Sequence, residues 1–382
     1  MKILYYTWNE VTATDCTTAL RQLGHTVTII SRPVTNYDYD EDFTAYFSQE
    51  IAKCNADVLF TFNYFPIISR ICMAHHLPYI SWVYDSPHFT LHSKTLNNSC
   101  NHVFIFDRML CNTLLAKGIT TVTHMPLACH RYDTVPSDYR YDVSFVGTLY
   151  ADQTNFFDQI KGLPDYITGY VDCLINAQQR IYGYDFTSEL ISGPILDVIR
   201  EHALINLGPD YEDAADSIIQ DMVRKKITVE ERFATLYSLS QYFKTDLFSP
   251  CRNDRLTKVT FHAPIDYEKE MPAVFAASKI NLNITLRSIL TGMPLRTLDV
   301  LGAGGLLMSN YQEELGENFV DGEDLVLYTG IDDLLDKTDY LLSHEKERLE
   351  IAHNGHEKVI RNFSYEVVLE RIFRAVFGSG RK

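Results

Sequence analysis

Residues Leu290–Leu315 read LTGMPLRTLDVLGAGGLLMSNYQEEL and bring together the residue types that hold a phosphorylated ligand. Pro294 suits the first position of a helix, because the N–H it lacks is one that a helix leaves unpaired there. Gly292 and Met293 then form the turn leading in, and Leu295 follows in the helix start. The free N–H groups of that first turn, with the helix dipole, favour an anion such as a diphosphate. Arg296 lies in the same turn and Arg287 just upstream, and a guanidinium at either place suits phosphate oxygens. Asp299 is too far into the helix to cap it, but its carboxylate can accept two hydrogen bonds from a ribose diol. Arg296 and Asp299 also have the i,i+3 spacing of an ordinary surface ion pair, so spacing leaves both readings open. Gly302–Gly305 end the helix instead of opening it, which suits tight packing better than a dinucleotide fingerprint.

The elements that must position these residues alternate along the chain. Short apolar runs (KILYYTW, HTVTIIS, ADVLFTFNY, LPYISWVYD, CNHVFIFD, VTHMPLA) are separated by amphipathic segments, two of which close on Gly24 and Gly118. Asp42 is the expected N-cap of the helix DFTAYFSQEIAKCN, and Asp107 that of RMLCNTLLAKG. This alternation predicts βαβ units and a parallel sheet covered on both faces. Cys129–Arg140 is polar and turn-prone and reads as a linker, after which YDVSFVGTLY opens a second sheet. Residues 151–256 show helical spacing with almost no strand signal, and βα alternation resumes from Lys258. The expected architecture is α/β: two Rossmann-like, doubly wound domains facing a cleft. The first is residues 1–137. The second is residues 138–363, including a helical insertion at 151–256. A final helix within 364–382 is expected to pack back on the first.

Composition narrows the function. The 382 residues are 46% hydrophobic and 22% charged, as in a water-soluble globular chain. The net charge of −16 argues against a general nucleic-acid binder, but not against an anionic small ligand in a local basic pocket. No apolar run is long enough to span a membrane, and MKILYYTWNE turns polar too early for a signal peptide, so a cytoplasmic location is expected. The eight cysteines form no C-x-x-C pair and no zinc spacing with histidine, which predicts free thiols. Asp38-Tyr39-Asp40 mimics a D-x-D metal motif but lies in an acidic Tyr-rich loop, and no metal site is expected.

From Lys258 to about Phe373 the sequence resembles the nucleotide-sugar-binding domain of GT-B glycosyltransferases, and within them the spore-maturation-protein-like (CgeB-type) family. The resemblance is carried by EMPAVFAASKINLNIT, GMPLRTLDVLGAGGLLMSNYQEEL, FVDGEDLVLYTGIDDLLDKTDYLLSHEKERLEIAHNG and FSYEVVLERIF. YDVSFVGTLY resembles the strand and glycine turn that open that domain, and YDSPHF is similar more loosely. The resemblance implies a nucleotide-sugar on the C-terminal domain and an acceptor on the N-terminal one. Asp299 then matches the acidic residue at the ribose. Gly292, Met293 and Pro294, with Leu295 at the helix start, match the diphosphate site. Gly147 and Thr148 match the glycine turn facing the same phosphates, and the stretch from His262 through Pro264 to Ile265 matches the strand end whose backbone reads the base. Two departures stand out. Thr291 occupies the position, eight before Asp299, where many retaining members carry Glu. The Arg and Lys that usually follow the first glycine turn are absent from GTLYADQTN, leaving Arg287 and Arg296 as the first candidates for neutralising phosphate.

The implied reaction is transfer of a sugar from a nucleoside-diphosphate sugar, expected to be a UDP-sugar, to a hydroxyl on a glycan, protein or lipid-linked acceptor, without a metal. Asp85 and His88 follow a strand end and are base candidates if the reaction inverts, with Glu10 a second acidic candidate. Retention and inversion both remain open. A nucleotide-sugar epimerase and a catalytically silent nucleotide-sugar-binding partner are the alternatives. The helical insertion has three candidate roles: shaping the acceptor site, homodimerisation, and binding an acceptor protein.

Overall fold

The computed structural model describes residues 1–130, 132, 138–151, 155–203, 205–211 and 214–378. Half of the linker expected at Cys129–Arg140 lies outside them. The chain divides into two units, one of Met1–Ala128, Leu207–Asp213 and Asn362–Lys382, the other of Cys129–Asn206 and Ala214–Arg361.

The first unit runs β1 (Lys2–Tyr6), α1 (Ala13–Gln22), β2 (Thr26–Ile30), α2 (Glu41–Cys54), β3 (Val58–Phe62), α3 (Pro66–Ala74), β4 (Tyr79–Val83), β5 (Asn101–Ile105), α4 (Arg108–Ala116) and β6 (Val122–His124). The sheet order is β2-β1-β3-β4-β5-β6, and every pairing is parallel. β3 and β4 are buried along their whole length, as a parallel strand covered on both faces requires. The N-cap of α2 is Asp40, whose carboxylate accepts from Phe43 N–H at 2.9 Å. The expected cap, Asp42, lies two residues inside, where its charge still complements the helix dipole. Asp107 caps α4, accepting from Leu110 N–H at 3.1 Å.

The second unit begins with β7 (Tyr141–Val146), followed by α5 (Asp165–Gln178), α6 (Thr187–Leu190), α7 (Gly193–Ala203) and the 28-residue α8 (Ala215–Tyr242). The helical block was expected to reach Leu256, but β8 (Thr245–Phe248) is a buried strand in the middle of the sheet. Its four residues, TDLF, alternate too little for a strand to be legible without its neighbours. Then come β9 (Thr260–His262), α9 (Met271–Ala276), β10 (Ser278–Asn283), α10 (Leu295–Gly302), β11 (Leu307–Asn310), α11 (Glu313–Asn318), β12 (Val326–Tyr328), α12 (Ile331–Ser343) and α13 (Glu345–Phe363). The parallel order is β12-β11-β10-β7-β8-β9. The final helix, α14 (Tyr365–Phe377), packs on α1 in the first unit, with Phe373 stacked on His25 at 4.7 Å.

α8 serves two cores. Ile219, Val223 and Ile227 join Val171, Leu174 and Ile199 in the helical block. Further along, Val229, Phe233, Leu236 and Leu239 join Val143, Leu247 and Ile280 in the sheet core. α8 is therefore the crossover from β7 to β8, extended at its N-terminal end to carry the block.

Gly302–Gly305 prove to be packing residues. A Cβ on Gly302 would lie 2.5 Å from the His130 carbonyl oxygen, and one on Gly305 3.0 Å from that of Phe275. Backbone cannot move aside as a flexible side chain can. Gly302→Ala should therefore destabilise the protein by about 1–3 kcal/mol. A lowered urea midpoint with an unchanged m-value checks this, and an unchanged midpoint would show that the neighbouring backbone yields freely.

Candidate functional site

In each sheet the strand order reverses at one point, and open parallel sheets hold ligands beyond the strand C-termini at such a point. In the second unit the reversal lies between β7 and β10. Gly147 and Thr148 follow β7, and Tyr150 behind them adopts a left-handed φ of 54°, an outlier for a bulky residue. The turn is tied down by a residue from α8. Arg232 donates from one terminal nitrogen to the Thr148 carbonyl and from the other to the Ile284 carbonyl just past β10, at 2.8 Å for the latter. One buried guanidinium thus ties the turn after β7 to the strand end of β10.

Arg232 has no carboxylate within ion-pair distance among the described residues, although the charge of Glu231 acts on it. Its Nε bonds to nothing among the described residues, and the rings of Phe145 and Tyr150 pack against it. Burial pushes its pKa below the ordinary arginine value. Tyr150 and Glu231 pull it up, and the charge of Arg296 adds to the depression. Arg232 and Arg296 are therefore close enough to repel one another. Sequence reasoning missed Arg232, although the signal was present: it lies on the apolar stripe of α8, between Val229 and Leu236, where a charge is out of place.

The predicted residues of α10 divide into distinct positions. Pro294 is the N-cap and Leu295 the first helical residue, one position later than expected, and the cap makes no side-chain bond. Gly292, Met293 and Pro294 are buried, whereas Leu295 and Arg296 are half-buried, so the accessible part of this turn is its helical end. Arg296 Nη1 lies 3.8 Å from Asp299 Oδ2, beside the Met271 sulfur and over the Phe275 ring. Asp299 is only 3% exposed, so this is no surface pair. Its Oδ1 accepts from the Tyr267 hydroxyl at 2.8 Å. Tyr267 lies on the loop after β9 that also carries Pro264 and Ile265, and the sequence did not single it out.

Arg287 is held within the protein by two of its three nitrogens, with Nη2 bonded to nothing among the described residues. Its Nε donates to Glu231 Oε2 at 2.6 Å and one terminal nitrogen to the Ile181 carbonyl at 2.9 Å, with the Tyr182 ring against it. Burial works against its charge, but Glu231 overrides that and raises its pKa. An arginine already neutralised by a buried carboxylate is a poor phosphate ligand. His262 Nε2 bonds Asp246 Oδ1 at 2.7 Å and its ring stacks on Phe248 at 4.3 Å, which fixes the end of β9. Beside Thr291, where the resembled enzymes carry Glu, stands the buried Glu314 of α11, which accepts from Thr291 Oγ1 at 2.9 Å.

In the first unit the reversal lies between β1 and β3. A cavity of about 560 Å³ opens there, lined among others by Trp8, Asn63, Asp85, His88 and Tyr211. Asn63 follows β3 in the left-handed region, with φ 59°, which Asn tolerates better than other side chains. Its amide donates to Asp85 Oδ2 at 2.6 Å and its carbonyl accepts from Asp85 N–H at 3.3 Å. The other Asp85 oxygen has no hydrogen-bond partner among the described residues.

The three base candidates differ in what their lone pairs do. His88 Nε2 lies 3.1 Å from the Tyr64 N, 3.3 Å from the Tyr64 carbonyl oxygen and 2.7 Å from the Thr90 hydroxyl, so that nitrogen is engaged in either tautomer. Burial lowers its pKa against the opposing pull of Asp85, keeping the ring neutral. Glu10 is buried, not on a surface loop. It accepts from the Tyr5 hydroxyl at 2.6 Å, and from the Thr7 hydroxyl and Trp8 N–H at 3.0 Å each. Both Glu10 oxygens therefore hold the loop after β1. Asp85 alone of the three lines the cavity and keeps an open acceptor oxygen. Asp38 and Asp40 are also engaged, with Tyr211 and at the α2 cap respectively.

Two doubly wound parallel sheets, each with one reversal point, make this the fold of the GT-B glycosyltransferases. Residues 223–374 match the family described as glycosyl transferase-like. The fold is similar to that of a glycosyltransferase from Rickettsia africae, at 12% identity and a TM-score of 0.53 over 99% of both chains. It is also similar to the Anabaena protein HepE in complex with UDP-glucose, at 11% identity and a TM-score of 0.52 over 98% of this chain and 99% of that one. Sucrose-phosphate synthase from Thermosynechococcus elongatus gives 12% identity and a TM-score of 0.51 over 100% of both. No curated protein matches the sequence. No helix of the described residues is long and apolar enough to cross a membrane.

Proposed function

We propose that this protein is a glycosyltransferase that takes its sugar from a nucleoside diphosphate donor, a UDP-sugar being the expected one. The observation that carries the proposal is Arg232. A fully buried cation without an anionic partner is costly, and a ligand anion beside it offsets that cost. The cation ties the two strand ends at the reversal point of the second sheet, and the charge of Arg296, in the first turn of α10, acts on it. These are the features a diphosphate needs. Asp299 takes the ribose, with Tyr267 orienting its carboxylate. That HepE is described in complex with UDP-glucose supports the choice of uridine.

In the reaction the bond from the anomeric carbon to the diphosphate oxygen breaks and a bond to the acceptor oxygen forms. The departing diphosphate carries the charge, which Arg296 and Arg232 stabilise. The acceptor hydroxyl loses a proton, and Asp85 takes it. Assigning that proton to Asp85 over His88 and Glu10 rests on its one open oxygen.

Isothermal titration with UDP tests the donor site. Arg296→Ala should weaken UDP binding by about 10- to 100-fold, the worth of a charge-assisted hydrogen bond. Asp299→Ala should weaken UDP while leaving pyrophosphate binding unchanged, because only the nucleoside carries the diol. UDP affinity untouched by both substitutions would sink the donor-site assignment.

A further inference from the structure

The cavity of the first unit indicates what kind of acceptor it takes, and why the chain carries a helical insertion. Between α7 and α8 the chain contributes Leu207–Asp213 to the first unit. This segment is fastened there. Arg70 pairs with Asp210, Lys94 Nζ donates to the Pro209 carbonyl at 2.6 Å, and Lys94 N–H donates to the Asp210 carbonyl at 3.3 Å. Tyr211 then forms part of the cavity wall. Its ring stacks on Phe89 at 4.4 Å and its hydroxyl donates to Asp38 Oδ1 at 3.0 Å.

The wall has two chemical characters. Trp8, Tyr37, Phe65, Phe89 and Tyr211 supply aromatic surface, and Tyr37 and Phe89 remain 49% and 43% exposed. Five rings gathered on one cavity wall form a contiguous aromatic surface, the kind of patch that marks a ligand site. The polar part combines Asn36, Asn63, Thr90 and His88 with the carboxylates of Asp38 and Asp85, each of which has one oxygen lacking a hydrogen-bond partner among the described residues. No Lys or Arg is among the described lining residues.

We propose that this cavity binds an uncharged carbohydrate, the acceptor of the transferase reaction, and that the segment 207–211 of the insertion, through Tyr211, completes the binding site. A sugar ring has an apolar C–H face that suits the aromatic surface and hydroxyls that donate to open carboxylate oxygens. A phosphorylated or carboxylated sugar would bring its charge against Asp38 and Asp85 with no cation to balance it. A nucleotide is disfavoured for the same reason, although its base could stack. The inference rests on the transferase reading above and adds the acceptor's class and the insertion's role.

The test is saturation-transfer NMR and titration on the full-length protein with lactose and N,N′-diacetylchitobiose, set against glucose 6-phosphate and glucuronate. At least one neutral disaccharide should bind and neither anionic sugar should. Tyr211→Ala should weaken the neutral sugar about tenfold, the size of a stacking contact. Because Tyr211 is buried and anchors the segment, Tyr37→Ala, at an exposed ring, should reproduce a loss in the same direction without disturbing that anchor. The inference is overturned if an anionic sugar binds better than both disaccharides, if neither disaccharide binds, or if both substitutions leave binding unchanged. UDP titrated into the same samples keeps the two readings apart. Failure to bind UDP counts against the transferase reading, whereas failure to bind the disaccharides with UDP affinity intact counts against the acceptor site alone.

Discussion

Replacing Arg232 with methionine should lower UDP affinity by about a hundredfold while changing the stability of the unliganded protein by less than about 1 kcal/mol. The two halves of this expectation have different origins. Methionine removes the donors to the Thr148 and Ile284 carbonyls, and each lost charge-assisted bond costs about 1.5–3 kcal/mol. It also removes a buried cation with no carboxylate partner among the described residues, and the desolvation of such an ion costs several kcal/mol. In the unliganded protein these terms oppose one another and nearly cancel. With UDP bound they do not cancel, because the diphosphate supplies the missing anion and makes the buried charge favourable. The check is urea unfolding alongside UDP titration on the same variant. A large loss of stability with UDP affinity intact would make Arg232 a structural clamp and remove the main support for the donor site. Arg287→Met is the matching control. It strands Glu231, a carboxylate that is 2% exposed, so there stability should fall.

The second large effect is expected at Asp85. Asp85→Asn should lower the rate of sugar transfer by about 10²–10⁴, the usual worth of a positioned base, with UDP affinity unchanged. The amide keeps the size of the carboxylate and an oxygen for the Asn63 amide to donate to, so the fold around the cavity should persist. What it loses is the capacity to take a proton. The measurement is transfer from a UDP-sugar to the best neutral acceptor, with the anomeric configuration of the product read by NMR. A base acting on the acceptor oxygen goes with inversion. A variant that keeps its rate within about threefold, or a product with retained configuration, would remove Asp85 from the base role. His88 offers no substitute. Its Nε2 is already engaged by the Tyr64 backbone and the Thr90 hydroxyl, and burial disfavours the charged ring.

Both predictions concern residues that the sequence presents unequally. Asp85 was visible because it follows an apolar strand directly and a polar side chain there has few structural reasons to exist. The choice among Asp85, His88 and Glu10 was not visible, because it depends on which lone pairs neighbouring groups occupy. Those neighbours, Asn63, Tyr64 and Tyr5, come from other strands or strand ends. Arg287 and Arg296 looked equivalent as phosphate ligands. The difference between them is Glu231, 56 residues upstream of Arg287 and on a different element.

Sequence alone was enough for the two parallel sheets, the helix starting near Pro294, and the packing role of Gly302–Gly305. These follow from local pattern: apolar runs of strand length, helical spacing between them, and Pro and Gly at the helix ends, all physics acting over a few residues. Only the tertiary structure decided that β8 is a strand, that Arg232 is the buried cation at the reversal point, that Tyr267 meets Asp299, and that Tyr211 lines a cavity in the other unit. Each of these depends on burial or on a hydrogen bond between residues far apart in the chain. The energy of a charge or a short strand is set by the neighbours that exclude water from it, and those neighbours are brought together only when the chain folds.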